Sequence, residues 1–418
     1  MNDMNAQPLK IKYDIKKLEL EALLEITQAI NNNMPENSLY KIFEFTLRAN
    51  LNIGKLALYV LDDQWICKVS YGTDGDFTKC RFDRSFLKWK DVGEIEKGVC
   101  SPEFFEFDLA IPIAHKEKKL AFVFVSKQNR NEPGTLNTDF IQALSNIIIV
   151  AIENKRLARK QLEQEKIRQE LEFAAKVQQF LFPKQLPYNK YLKAAAFYQP
   201  HHSIGGDYYD FIHLERKNQI LFCIADVSGK GIPAALLMSN FQASLRTLVQ
   251  ETTLLQDVIQ KLNYQIMNNA DGEHFITFFV GIYDPERSRL KYVNSGHNPP
   301  ILIRNGTEMM SLEKGSTVLG AFRELPFLEI GIIEDINKFM FCSFTDGLSE
   351  INNEFGEEYG AERIWDIISK NKKSEPDVLN NRIIESMNVF KGDQELMDDI
   401  TLFSCFFDNT SGRLMSDK

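Results

Sequence analysis

The chain has 418 residues, 44% hydrophobic and 26% charged, and its 58 acidic against 49 basic side chains leave a formal net charge of −9. That length exceeds what one hydrophobic core usually supports, so two or more domains are expected, and the composition excludes a disordered chain. The acidic balance argues against a general nucleic-acid binder, which needs a basic footprint to replace counterions on phosphates.

The opening residues MNDMNAQPLKIKYDIKK carry no apolar h-region. The most continuous apolar run, Ile147–Ile152, is far shorter than the ~20 residues that cross a bilayer. Six dispersed cysteines with no CxxC pair read as small core residues in a reducing compartment. The expectation is a cytoplasmic protein with no nucleic-acid partner and no membrane span.

From Lys17 to Leu51 apolar residues recur at helical spacing (Leu20, Leu23, Leu24, Ile30, then Leu39, Ile42, Phe43), with Asn31–Pro35 separating two helices. Strand-like stretches follow at Lys55–Leu61, Trp65–Tyr71, Phe107–Ile113 and Leu120–Ser126. The cluster Asn137-Thr138-Asp139 then caps a long helix. This order, with Ile53-Gly54-Lys55-Leu56 followed by Leu58-Tyr59-Val60, resembles a GAF domain over roughly residues 18–156. The resemblance implies a pocket for an unidentified small ligand or regulatory protein, or a dimerisation surface. The alternative is an α/β module whose pocket is empty or filled by its own side chains.

Between Glu153 and Glu170, ten of eighteen residues are charged, with both signs interspersed. Ile167, Leu171, Ala174 and Leu181 then form a narrow seam at spacings of four, three and seven. A helix this polar bridges domains or pairs with a copy of itself. A signalling linker, forming a homodimeric coiled coil, is the expectation, ended by Phe182-Pro183 because proline removes a donor and restricts its predecessor. The domains expected are therefore a GAF-like sensor at 1–156, a helical linker at 157–182, a third domain at 183–410 and a flexible tail at 411–418.

The third segment alternates strand-like runs (Leu192–Tyr198, Phe211–Leu214, Ile220–Val227, Phe275–Tyr283, Arg289–Asn294, Ile301–Arg304, Phe339–Phe344, Ile400–Phe407) with helices at Ile232–Glu251 and Leu255–Asn269. Runs of strands with helices inserted predict a layered α+β domain. Aspartates stand where these strands meet turns: Asp207 after Gly205-Gly206, Asp226 after Ile220–Ala225, Asp346 before Gly347, and Asp398-Asp399 before Ile400. A carboxylate held by rigid backbone beside glycine suits a shared cation site. Four such acids close together raise one another's pKa, a conflict that divalent cations resolve, and oxygen-only donors favour Mg²⁺ or Mn²⁺ over zinc.

Five segments, Gly205–Asp210 (GGDYYD), Ala225–Gly231 (ADVSGKG), Asn294–Pro300 (NSGHNPP), Thr345-Asp346-Gly347 and Asp398-Asp399-Ile400-Thr401, resemble the metal-dependent protein phosphatases in family order. The branch most similar is the bacterial stage II sporulation E-like one, and the resemblance covers roughly 170–407. It implies an αββα sandwich of two antiparallel sheets and hydrolysis of phosphoserine or phosphothreonine. Two divalent cations, Mn²⁺ or Mg²⁺, would lie about 3.5–4 Å apart and activate a bridging water. Carried over, Asp207 and Asp226 are the core ligands that position that water. Val227 adds its carbonyl, Asp346 and Asp398 complete the shell, and Gly206, Gly347 and Asp399 support it. Asp210 reads either as an exposed turn acid or as a second layer behind the ligands. No histidine follows Asp226 in the turn to protonate the leaving oxygen.

His297, between Asp284 and Ser295 in a would-be triad, lacks a nucleophile elbow and reads as a residue fixing its own turn. GxxxxGK[ST] is absent, which argues against nucleotide hydrolysis. The resemblance further implies a phosphorylated STAS-type anti-sigma-factor antagonist as substrate and control by the N-terminal sensor. A non-catalytic pseudophosphatase scaffold or a ligand-binding sensor protein is the alternative.

Overall fold

The computed structural model of the chain describes all residues except 1–5, 52, 116–117, 129–135, 271–272, 413 and 415–418. The chain forms two compact units, Met1–Glu165 and Lys166–Lys418.

In the first unit, helices α1 (Ala6–Asn31) and α2 (Glu36–Leu51) precede β1 (Ile53–Leu61), β2 (Trp65–Tyr71), β3 (Gly93–Glu94), β4 (Leu109–His115) and β5 (Lys118–Lys127), and α3 (Thr138–Gln179) follows. The strands pair antiparallel in the order β2-β1-β5-β4-β3. Alternating side chains of a strand face opposite sides. Leu56, Leu58, Val123 and Val125 therefore pack against Ile26 of α1, Phe43 of α2 and Ile148 of α3. The other face, Ala57, Tyr59, Phe122 and Phe124, is covered by Phe77, Phe82, Phe86, Phe104 and Phe107 from the connecting segments. That interior is filled by the unit's own rings. The expected linker is the second half of α3, not a separate element.

The second unit holds two sheets. One runs β13-β10-β9-β8-β7, with β14 also on β10, and the other runs β12-β11-β15-β16-β6. Their strands are β6 (Leu192–Gln199), β7 (Tyr208–Leu214), β8 (Gln219–Val227), β9 (Ile276–Asp284), β10 (Arg289–Ser295), β11 (Ile301–Arg304), β12 (Glu308–Ser311), β13 (Gly315–Ser316), β14 (Gly331–Ile333), β15 (Lys338–Phe344) and β16 (Ile400–Asp408). Phe222, Phe279, Phe341 and Phe407 meet between the sheets. Helices α4 (Ile232–Glu251) and α5 (Leu255–Ala270) bury Met238, Phe241 and Leu262 against the first sheet. Beyond the short α6 (Asp346–Ser349), helices α7 (Ala361–Lys370) and α8 (Pro376–Lys391) place Ile364, Ile368 and Ile383 on the second. The layers are thus αββα, as expected.

The sequence reading differs from the structure at several points. It assigns no element to α7 and α8. The pairing of β10 with β13 is parallel, so the first sheet is not purely antiparallel. Leu414, in the segment expected to be a free tail, is buried against the inter-sheet core. Residues 413 and 415–418 of that segment lie outside the described residues. Cys223, Cys342 and Cys405 are free and buried in the strands where core cysteines were expected. Among the described residues, no helix is long and apolar enough to cross a membrane.

Candidate metal centre

Antiparallel pairing puts the start of β7 beside the end of β8, Tyr208 opposite Ala225, so Asp207 and Asp226 emerge at one end of the first sheet. The same geometry puts the end of β15 beside the start of β16, Phe344 opposite Leu402, and there Asp346, Asp398 and Asp399 emerge. The two ends are fastened together through Asp207. Its Oδ2 accepts from Thr345 Oγ1 at 2.8 Å and from Thr401 Oγ1 at 2.6 Å. Both threonines come from the opposite sheet, and each stands beside or near an acid that the motif supplies.

Asp207 is almost fully buried, and its Oδ1 has no hydrogen-bond partner. A buried carboxylate oxygen left unpaired is costly, and such an atom in a native fold calls for an occupant. Burial first, then the charges of Asp226 and Asp399, push the Asp207 carboxyl well above the usual range, against the two threonine hydrogen bonds. Asp226 is pushed up to about 7 by burial, then by Asp346 and Asp398. Asp346 is raised by burial and then by Asp398. These shifts are those of buried acids crowded together with too little counter-charge.

Asp399 has a different task. Its Oδ1 accepts from the His201 backbone at 2.7 Å and its Oδ2 from the Gly206 backbone at 2.6 Å, so it clamps the loop carrying Asp207. The adjoining glycines are needed for close approach. A Cβ on Gly205 would lie 2.4 Å from Asp399 Oδ2, one on Gly206 3.0 Å from the Val227 carbonyl oxygen, and one on Gly347 2.0 Å from the Asp399 carbonyl oxygen. Gly347→Ala is accordingly expected to cost about 1–3 kcal/mol through forced separation of α6 from the Asp398-Asp399 segment. Thermal denaturation checks this, and an unchanged melting temperature would contradict the packing.

The donor set suits a hard cation. All candidates are oxygens, and one is orphaned. Among the described residues no three acidic, histidine or cysteine side chains are already gathered as a metal-holding group, and Lys230 Nζ rests 2.8 Å from Asp398 Oδ2. An open arrangement fits Mg²⁺ or Mn²⁺, which keep waters and accept one or two carboxylates each.

Three contacts at the site were not legible in the motifs. Gln178, near the end of α3, is buried and donates from Nε2 to the Gly205 carbonyl at 2.7 Å while its Oε1 accepts from the Gly205 N–H at 3.3 Å. His274 approaches the loop after Asp226, its Nδ1 3.1 Å from the Ser228 carbonyl oxygen. Asp210 is not an exposed turn acid: it is fully buried, accepts from Phe211 N–H at 2.8 Å and from Tyr208 Oη, and pairs with Arg246 of α4 at 2.8 and 2.9 Å.

His297 is a turn-fixing residue. Asn294 Oδ1 accepts from its N–H at 2.8 Å, Asn294 Nδ2 donates to its carbonyl at 3.0 Å, and its Nδ1 lies 2.9 Å from Thr277 Oγ1. Asp284 is engaged elsewhere, with Gln219 at 2.9 Å and the Arg287 backbone at 3.1 Å. Burial lowers the His297 pKa to about 3. A depressed folded-state value means the unfolded chain takes the proton first, so this residue's contribution is complete above pH ~6.5 and is lost as pH falls toward its folded value. His297→Asn is expected to flatten the fall of melting temperature between about pH 6.5 and pH 4. An equally steep fall in the variant would show that His297 does not supply it.

Comparison with known proteins agrees with this geometry. The SiaA-PP2C domain of Pseudomonas aeruginosa superposes with a TM-score of 0.52 at 18% identity, covering 59% of this chain and 99% of that one. The second unit therefore has the PP2C fold. Residues 216–407 match the family model described as Stage II sporulation protein E (SpoIIE). Phosphoserine phosphatase RsbU of Bacillus subtilis is 32% identical over 195 residues, 46% of this chain and 57% of RsbU. Protein IcfG of Synechocystis sp. is 25% identical over 310 residues, 68% of this chain and 47% of IcfG. The chain thus spans about half the length of the curated relatives it matches.

Proposed function

We propose that the chain is a metal-dependent protein serine/threonine phosphatase, with Asp207, Asp226, the Val227 carbonyl, Asp346 and Asp398 as ligands of Mn²⁺ or Mg²⁺. The observation that carries this reading is the buried, partnerless Oδ1 of Asp207 among four further aspartates, in a domain whose relative RsbU is named a phosphoserine phosphatase. Two divalent cations there supply a water of lowered pKa and a clamp on the phosphoryl oxygens. The chain's own part is positional. Thr345 and Thr401 fix the Asp207 rotamer, and Asp399 holds the loop behind it through the backbone donors of His201 and Gly206.

The regulatory reading assigns the first unit as a GAF-like sensor that acts through α3. Gln178 supports it, because a shift of that helix end would drag the Gly205-Gly206 turn and with it Asp207. Exposed Ile167, the first residue of the narrow seam on α3, leaves apolar surface that pairing with a second copy would cover. The family resemblance supplies a STAS-type anti-sigma-factor antagonist as substrate and a cytoplasmic setting.

The test is phosphate release from a phosphoserine peptide by the full chain with MnCl₂. Release that requires Mn²⁺ and disappears in Asp226→Asn is expected. A chain that binds the peptide without releasing phosphate would be a scaffold instead.

A further inference from the structure

Lys230 is the cation of this acidic site. It lies on the loop that leaves Asp226, between Gly229 and Gly231, whose φ values of +91° and +71° only glycine adopts readily. Its Nζ stands 2.8 Å from Asp398 Oδ2 and donates to the Met397 carbonyl. Burial and neighbouring acids raise the carboxyls of Asp346 and Glu350, and the Lys230 charge opposes part of that rise. Among the described residues, no other Lys or Arg forms an ion pair with Asp207, Asp226, Asp346, Asp398 or Asp399.

The charge arithmetic gives this ammonium a task. Five carboxylates carry −5, two divalent cations would bring +4, and −5 + 4 leaves −1 before any substrate arrives. A phosphate monoester carries about −1.5 to −2 near neutral pH. Its approach to a net-negative site requires one more positive charge aimed at the phosphoryl oxygens. An ammonium on a flexible stem serves as such a point charge. The Lys230 side chain is 45% exposed and Asp398 35% exposed. An ion pair this open to water is worth little and is readily exchanged for a better partner.

We infer that Lys230 is the substrate-phosphate anchor of this site: its ammonium, held by Asp398 and the Met397 carbonyl, moves to the phosphoryl oxygens of the bound phosphate monoester. This rests on the phosphatase reading above and extends it to a residue outside the ligand set.

The experiment uses the full chain, loaded with Mn²⁺, as wild type, Lys230→Met and Lys230→Arg. Calorimetric titration with inorganic phosphate reads anchoring without catalysis, and titration of the metal-stripped chains with Mn²⁺ reads the ligand set. Lys230→Met is expected to weaken phosphate binding, and to raise KM for a phosphoserine peptide, by about ten- to a hundredfold, the scale of a hydrogen bond to a charged group. Lys230→Arg is expected to restore part of both, with Mn²⁺ affinity little changed throughout. Unchanged phosphate binding in Lys230→Met, or tighter Mn²⁺ binding as its sole effect, would reduce Lys230 to a counter-ion of Asp398 and overturn the inference. If wild type binds phosphate yet hydrolyses no peptide, the phosphatase reading fails while the phosphate titrations still decide the role of Lys230.

Discussion

Asp226→Asn is expected to lower Mn²⁺-dependent turnover of a phosphoserine peptide by roughly a thousandfold, since charge stabilisation through metal ligation is worth several kcal/mol and each 1.36 kcal/mol is tenfold. Asparagine keeps a carbonyl oxygen at the same place and loses the charge, so the strand end is preserved while its hold on a cation is not. The metal-free fold should respond in the opposite direction. Asp226 is raised to about 7 by burial and by Asp346 and Asp398, which means the ionised form is disfavoured there. Removing that charge is expected to leave the metal-free melting temperature at pH 8 unchanged or higher. Steady-state kinetics and thermal denaturation on one preparation separate the two effects. A variant that melts well below wild type without metal would show that Asp226 is needed for the fold, and its lost turnover would then say nothing about ligation.

The second large effect lies behind the site. Arg246→Met leaves Asp210, which is 0% exposed, with only Tyr208 Oη and the Phe211 N–H as partners. Breaking a buried pair by removing one partner costs about 3–5 kcal/mol because the remaining charge is uncompensated. The guanidinium side chain is itself 46% exposed, which places the loss at the lower end. At about 2–4 °C per kcal/mol for a domain of this size, the melting temperature should fall by roughly 6–12 °C. Asp210→Asn combined with Arg246→Met should recover part of it, because the buried charge is then gone as well. A fall of under about 2 °C in the single variant would mean that water or backbone compensates Asp210 without Arg246.

The acids at the strand ends were legible because Asp226, Asp346 and Asp398-Asp399 follow or precede continuous apolar runs, and the glycines beside them mark close backbone approach. Strands β8, β11 and β16 and helices α4 and α5 likewise stand within a residue or two of where hydropathy puts them. What could not be read is what depends on tertiary pairing. Thr345 and Thr401 reach Asp207 from 138 and 194 residues away, and nothing local distinguishes them from other strand threonines. Asp210 looks like a turn acid in GGDYYD, and only the packing of α4 on the first sheet brings Arg246 to it. The strands β12, β13 and β14 run two to four residues, too short for an alternating pattern. In α7, by contrast, Ile364 and Ile368 at a spacing of four carried a signal that hydropathy alone could have found.

The filled aromatic face of the first unit bears on how a signal enters. Phe82 and Phe86 pack with Phe122 and Phe124 at ring separations from 4.8 to 6.4 Å, so a ligand entering between those rings must displace them, whereas a cavity of about 670 Å³ lined by Leu61, Trp65, Arg81, Phe82 and Arg84 opens beside them. A protein partner at the surface, or pairing through α3, requires no such displacement.

The most direct measurement is the uptake of Mn²⁺ by the metal-stripped full chain, followed by isothermal titration calorimetry at neutral pH. About two ions per chain are expected, by the two-metal chemistry that the five oxygen donors suit, with uptake strongly reduced in Asp226→Asn. No uptake by the wild type, or uptake undiminished in the variant, would contradict the account.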